Sequence, residues 1–206
     1  MPSNESYATY GAFIVFGMSS YAVILGLWAE VAIFFRVLPE GATLSVYFVV
    51  AMQLANVAPF GYAALAARGR APPLAPTIRA LLAAGGLVAV AIGLCWRTTA
   101  RAAGAERSVA LLALIFAAGA VSTTTNVTFF PFVGRFPKQY TTALTLGQGL
   151  AGVLFGGLGI IQDAGGRRPR FGARPFFCGA VAGTYLGALL AFRRLLAAER
   201  RSGRDG

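Results

Sequence analysis

The chain has 206 residues, of which 57% are hydrophobic and 12% are charged, and its mean hydropathy is +0.67. Soluble domains contain about 45–50% apolar residues, so this composition excludes an ordinary soluble protein. The net charge of +11 comes from basic residues in short segments between long uncharged runs. Such residues set topology and contact lipid headgroups. We therefore predict a membrane protein that binds the lipid bilayer and no nucleic acid.

Six apolar runs reach or approach the length of about 20 residues that a helix needs to cross a bilayer. We predict six transmembrane helices, at about residues 11–34, 44–67, 80–96, 108–133, 140–162 and 175–192. Together they form an all-α, polytopic bundle over 11–192, between an N-terminal segment, 1–10, and a basic tail, 193–206.

The orientation of the bundle follows from its loops. Six spans place both termini on the same side of the membrane. With the termini in the cytoplasm, ten basic residues lie inside and eight lie outside, so the positive-inside rule favours this orientation by a small margin. We expect both terminal segments to be cytoplasmic.

The first predicted span carries an acidic residue. Ser19, Val23, Gly26 and Glu30 recur every three or four residues and share one helical face, while Trp28 lies on another side. A carboxylate inside a span is costly unless it is paired or hydrated, which makes Glu30 a candidate functional residue. The alternative is that Glu30 contacts water at the outer interface.

Amide side chains occur in the second and fifth predicted spans. Gln53 and Asn56 are three residues apart and share a face, where they either contact a ligand or bridge helices. In the fifth span, Gln148 is followed by the small residues Gly152 and Gly156. This spacing, which begins at Gly149, predicts close helix packing rather than approach of a ligand.

The fourth predicted span contains a dense polar segment, residues 122–132, which includes Asn126 and Thr128. Polar groups within a membrane mainly face neighbouring helices or a solvated cavity. A helix breaker, Pro131, and the aromatic residues Phe129 and Phe132 adjoin them. Hydrogen-bonding groups beside aromatic rings and a weakened helix predict a binding site for a flat ligand with a polar edge.

The chain contains no histidine, which excludes histidine metal sites, general bases and proton relays. The predicted spans also contain no pair of carboxylates. We therefore predict no enzyme, no cofactor and no metal site. Cys95 and Cys178 are expected to be free thiols, with a disulfide as the alternative.

Six segments, in this order along the chain, resemble the eukaryotic riboflavin transporter family. They are Gly26-Leu27-Trp28-Ala29-Glu30, Leu38-Pro39-Glu40-Gly41, Gln53-Leu54-Ala55-Asn56, Asn126-Val127-Thr128-Phe129-Phe130-Pro131-Phe132, Arg135-Phe136-Pro137-Lys138-Gln139-Tyr140 and Gly147-Gln148-Gly149-Leu150. The resemblance covers most of residues 11–163. The family usually has Gly-Ser-Trp at Ser19-Ser20-Tyr21, a proline at Ala32 and a tryptophan at Ala42, so substrate preference and the outer gate are expected to differ.

The resemblance implies riboflavin transport across the plasma membrane by alternating access. Family members look like eleven-helix carriers built from two bundles, and this chain is equivalent to their first bundle. We therefore expect a fragment or half of a carrier, which assembles with a second bundle or with another copy of itself. The alternative is a multi-pass membrane scaffold or an inactive half-carrier that does not transport.

Riboflavin has a flat tricyclic ring with a uracil-like polar edge and a polyhydroxyl tail. The aromatic candidates for stacking on the ring are Trp28, Phe129 and Phe132. The amide candidates for pairing with its polar groups are Gln53, Asn56, Asn126 and Gln148. Glu30 and Thr128 complete the predicted site, and Pro131 is expected to let the fourth helix bend.

Overall fold

The computed structural model describes residues 4–102, 104–163 and 170–202. The helices in this part of the chain are α1 (Asn4–Met18), α2 (Ala22–Val37), α3 (Leu44–Leu54), α4 (Val57–Ala67), α5 (Leu74–Cys95), α6 (Val109–Val133), α7 (Gln139–Asp163), α8 (Ala173–Pro175) and α9 (Ala182–Ser202). A 3-10 turn, Gly41–Thr43, precedes α3, and a π-helical segment, Phe176–Val181, joins α8 to α9. Two short antiparallel strands, β1 (Ala100–Ala102) and β2 (Ala105–Arg107), form a hairpin that the sequence analysis did not predict.

Five helical segments of the described chain are long and apolar enough to cross a membrane, and a sixth is a bent pair of helices. The five are Gly41–Ala67, Leu74–Cys95, Val109–Val133, Gln139–Gln162 and Ala173–Arg200. The bent pair, Tyr7–Met18 with Ala22–Val37, has an angle of 48°. This confirms the predicted all-α, polytopic membrane fold.

The first predicted span, 11–34, was expected to be a single helix, but the structure breaks it at Ser19–Tyr21. The Ser19 hydroxyl donates to the Phe16 carbonyl at 2.7 Å, and the Ser20 N–H donates to the Gly17 carbonyl at 3.1 Å. These bonds to the preceding turn compete with the regular helical pattern. The break leaves backbone carbonyls without their regular helical partners. Helix α6 supplies one replacement, because the Thr125 hydroxyl donates to the Ser20 carbonyl at 3.4 Å.

Helices α1 and α7 approach each other closely at two glycines. A Cβ atom added at Gly17 would collide with the Leu144 backbone, and one added at Gly147 would collide with the Ile14 backbone. In contrast, a Cβ added at Gly149, Gly152 or Gly156 meets no heavy atom of the described chain within 4 Å. The prediction that these last three glycines pack closely against a helix is therefore wrong, since the space in front of each is open.

A second seam joins α5 to the last span. The ring of Tyr185 occupies the space that Gly85 leaves open, and the Cys178 sulfur lies beside Gly93. Cys178 is partly buried and Cys95 is exposed, and both are free thiols as expected. Because α5 and α9 run in opposite directions, the start of α5 lies next to the end of α9.

The six membrane-crossing segments alternate in direction along the chain. One end of the bundle, which we call the terminal end, contains the starts of α1, α5 and α7 and the ends of α4, α6 and α9. At the terminal end, an aromatic core joins α1, α6 and α9. The Phe16 ring stacks on Phe129 with centroids 3.9 Å apart and on Phe192 with centroids 5.5 Å apart.

Candidate functional site

The break between α1 and α2 positions a hydrogen-bonded polar group that joins three spans. The Asn126 amide nitrogen on α6 donates to the Tyr21 hydroxyl at 2.9 Å, and the Asn126 oxygen accepts from the Gln148 amide on α7 at 3.4 Å. All three side chains are half-buried. The Tyr21 O–H and the Gln148 oxygen keep hydrogen-bonding capacity beyond these contacts.

Trp28 extends this polar group along α2. Tyr21 and Trp28 are seven residues apart, so they share one face of the helix and lie about 10 Å apart along its axis. Trp28 is 43% exposed, and its ring contacts the ring of Phe48 on α3 with centroids 4.6 Å apart. We call the surface formed by Tyr21, Trp28, Asn126 and Gln148 the open face.

Most hydroxyl groups of the polar segment of α6 do not reach the open face. The Thr124 hydroxyl donates to the Ala120 carbonyl at 2.6 Å, and the Thr128 hydroxyl donates to the Thr124 carbonyl at 3.0 Å. Such bonds to the preceding turn satisfy the hydroxyl within its own helix. Most of the hydroxyl groups in residues 122–132 therefore form hydrogen bonds within their own helix. They are not a cluster of ligand contacts.

The structure places three other predicted site residues in the core. Thr128, Phe129 and Phe132 have no exposed surface. Phe129 stacks on Phe16, and Phe132 packs against Phe13 with centroids 6.4 Å apart. These three side chains are separated from the open face in this conformation, and their assignment as ligand contacts stays a prediction.

Gln53 and Asn56 form a second amide pair, at the joint between α3 and α4. The Asn56 amide donates to the Gln53 oxygen at 3.0 Å, and Gln53 is exposed. Pro59 explains the joint because it has no N–H to donate to the Ala55 carbonyl. That carbonyl instead accepts from the Ala58 N–H at 3.1 Å.

Glu30 points away from the open face. It has no exposed surface, and the neighbouring Gln162 forms no hydrogen bond of good geometry with either carboxylate oxygen. On the same face of α2, a Cβ added at Gly26 would lie 2.9 Å from the Val181 side chain, so this face packs against the π-helical segment. The carboxylate is therefore buried in the described structure, and its assignment as a ligand contact stays a prediction. An ionised, unpaired carboxylate at this position is costly.

The sequence analysis missed a clasp formed by Glu40 at the end of the bundle opposite the terminal end. The Glu40 carboxylate accepts from the Ser108 N–H at 2.6 Å and from the Ser108 hydroxyl at 2.8 Å, which caps the start of α6. Burial alone would raise the pKa of Glu40, but these hydrogen bonds and the charge of Arg107 outweigh it and lower the pKa. Glu40 and Ser108 are 68 positions apart, so no local pattern predicts the contact.

Tyr21 is the second residue that the sequence analysis missed as a site residue. It was noted only as a departure from the family pattern. The sequence feature that could have identified Tyr21 is its hydroxyl near the middle of an apolar run, on the same helical face as Trp28. The contact with Asn126 spans 105 positions, so it required the structure.

Apolar spans with polar side chains joined on one open face are typical of a membrane transporter. A family model described as "Solute carrier family 52, riboflavin transporter" matches residues 6–174. The chain is 36% identical over 153 residues to human solute carrier family 52, riboflavin transporter, member 3. The aligned region covers 73% of this chain and 32% of that protein. It is 32% identical over 162 residues to member 3-B of the same family from Danio rerio. That aligned region covers 78% of this chain and 36% of that protein.

A third relative, human member 2 of the same family, is 32% identical over 154 residues, which is 73% of this chain and 34% of that protein. The chain belongs to solute carrier family 52, the riboflavin transporters, as the resemblance predicted. The matched region contains all six segments that carried the resemblance. The chain spans about a third of the length of the curated relatives it matches.

Proposed function

We propose that this chain forms one wall of a riboflavin transport pathway and that riboflavin binds to its open face. The observation that carries the proposal is the hydrogen-bonded connection of Tyr21, Asn126 and Gln148 across three spans, next to the exposed ring of Trp28. Membership of the riboflavin transporter family supports the choice of ligand.

The open face offers the two kinds of contact that riboflavin needs. Trp28 stacks on the tricyclic ring, a contact that contributes about 1–3 kcal/mol by analogy with nucleobases. The remaining hydrogen-bonding capacity of Tyr21 and Gln148 pairs with the uracil-like edge or the hydroxyl tail. Phe129 and Phe132 contribute indirectly, because they hold α6 against α1 and so fix the position of Asn126.

The transport cycle that we propose needs a second bundle opposite the open face. Alternating access results from two bundles that rock about a site between them, and one bundle supplies only half of its wall. The second bundle is either a further part of a longer protein or another copy of this chain. The proposed carrier resides in the plasma membrane with both ends of this chain in the cytoplasm. Transport of this kind involves no covalent chemistry.

Equilibrium binding of riboflavin to purified protein, followed by riboflavin fluorescence, tests the proposal. We expect Asn126→Ala and Gln148→Ala each to weaken binding by about 1–3 kcal/mol. Gln148→Ala leaves a polar group of the ligand unpaired, and Asn126→Ala removes the side chain that holds Tyr21 and Gln148 in position. Gln139→Ala is the matched control, since it removes an exposed amide from the start of the same helix. Wild-type affinity in both site variants would contradict the proposed site.

The same titration separates the transporter from the scaffold alternative. A scaffold whose polar residues only join helices would show no saturable riboflavin binding in the wild-type chain. In cells that express residues 1–206 alone, we expect riboflavin uptake near background. Saturable uptake by this chain alone would show that copies of it form the complete pathway.

A further inference from the structure

A groove with two arginines lies between α5 and α9 at the terminal end. It has a volume of about 350 Å³ and is lined by Arg79 and Ala83 of α5 and by Leu189 and Arg193 of α9. Arg79 and Arg193 therefore line one space from two helices, together with the apolar Ala83 and Leu189. We propose that this groove binds the negatively charged headgroup of an anionic glycerophospholipid.

The charges of the groove are not balanced by the described part of the protein. Neither Arg79 nor Arg193 forms a hydrogen bond or an ion pair with any described residue. Of the acidic side chains that the structure describes, Glu30, Glu40 and Glu106 belong to the opposite end of the bundle, and Glu199 pairs with Arg135 at 2.8 Å. Two like charges that face one groove repel each other, so an anion between them relieves an unfavourable arrangement.

The surroundings of the groove favour a lipid over a free anion. Leu87 lies eight residues after Arg79 on α5, and Leu186 lies seven residues before Arg193 on α9, so both continue the face of the groove away from the terminal end. These side chains are 71% and 61% exposed. They provide an apolar path of about two helical turns for acyl chains. A free anion would leave this path unused, whereas basic pockets between transmembrane helices bind anionic headgroups.

The occupant is distinct from the proposed substrate. The groove is formed by α5 and α9, whereas the open face is formed by α2, α6 and α7. Riboflavin carries no phosphate and no net charge, so it does not satisfy the two arginines. A lipid in the groove joins the start of α5 to the end of α9, and we expect it to stabilise the bundle without entering the transport pathway.

Native mass spectrometry of the purified chain tests the proposal, with equal amounts of phosphatidylserine and phosphatidylcholine that carry the same acyl chains. We expect the wild-type chain to retain phosphatidylserine in preference, and Arg79→Gln and Arg193→Gln each to reduce that preference about fivefold. The double variant should abolish it. The double control Arg68→Gln/Arg200→Gln removes the same charge from two exposed arginines outside the groove and should behave as wild type.

Further arms identify the source of the anion and check the fold. Arg79→Lys/Arg193→Lys keeps both charges and should retain the preference within about threefold. Added inorganic phosphate at millimolar concentration should not displace the lipid, and displacement would assign the groove to a free anion and overturn the proposal. Equal losses in the groove and control double variants, or equal retention of the two lipids by wild type, would also overturn it. If the double variant does not fold, the single variants decide the question.

Discussion

Helix α6 has two faces with different roles, although both are rich in residues that suggest a ligand site. On the open face, Asn126 is joined to Tyr21 of the α1–α2 joint and to Gln148 of α7. On the buried face, Thr128 bonds to its own helix, and Phe129 and Phe132 pack against α1. Polar and aromatic composition alone therefore does not locate a binding site in a membrane helix. The decisive feature is which side chains link different helices and stay accessible.

The buried face should respond most strongly to mutation. We expect Phe129→Ala to lower the free energy of unfolding by about 3 kcal/mol, because it leaves a cavity against Phe16. Phe130→Ala, at a ring that is 42% exposed, should change stability by less than about 1 kcal/mol. Thermal unfolding in detergent measures both. If Phe129→Ala kept the wild-type melting temperature but lost riboflavin binding, Phe129 would be a ligand contact and not a core residue.

Helix α7 offers the same comparison at its glycines. Gly147→Ala should destabilise the bundle by about 2 kcal/mol, because the new methyl group forces α7 away from the Ile14 backbone. Gly152→Ala, where an added Cβ meets no heavy atom within 4 Å, should be neutral or slightly stabilising, since alanine favours the helix. The two melting temperatures measured side by side check this. Equal effects would show that Gly147 does not face α1 at Ile14.

The smallest effect is expected outside the spans, at the Glu40 clasp. Glu40→Gln should reduce stability by about 1 kcal/mol at pH 7, because it weakens the cap of α6. Since the pKa of Glu40 is lowered by folding, the carboxylate contributes stability above its unfolded-state pKa. This contribution is lost as the pH falls through the folded-state pKa.

The difference between wild type and Glu40→Gln should therefore fade below about pH 4. Unfolding measured from pH 3 to pH 7 would show it. A difference that is constant over this range would exclude a role for the charge of Glu40, and would leave its shape and hydrogen bonds as the cause.

The sequence predicted the spans and the family because these depend on local features. Apolar runs of about 20 residues identify membrane helices, and six short segments in a fixed order identified the riboflavin transporters. The break at Ser19–Tyr21 was missed because it contains no proline or glycine, and its serine hydroxyls are as compatible with a continuous helix as with a joint.

The rotation of each helix could not be predicted, because a membrane helix is apolar on the side that faces lipid as well as on the side that faces its neighbours. For this reason the spacing of Gly152 and Gly156 indicated a contact that actually occurs at Gly147. For the same reason the sequence did not show that Phe129 packs on Phe16 while Asn126 bonds to Tyr21 and Gln148. The polar partners of Asn126 lie 105 and 22 positions away along the chain, and only the folded structure brings them together.

The central claim, that riboflavin binds the open face, is tested most directly by tryptophan fluorescence, because the chain contains two tryptophans. Trp28 lies on the open face, whereas Trp96 is 6% exposed and packs against Phe34 with centroids 5.4 Å apart. In Trp96→Phe, riboflavin should quench the emission of Trp28 in a saturable manner. In Trp28→Phe, the saturable quenching of Trp96 should be weaker than that of Trp28 in Trp96→Phe, because Trp96 follows the end of α5 and is not part of the open face. Saturable quenching that persists in Trp28→Phe and disappears in Trp96→Phe would place riboflavin elsewhere and contradict the account.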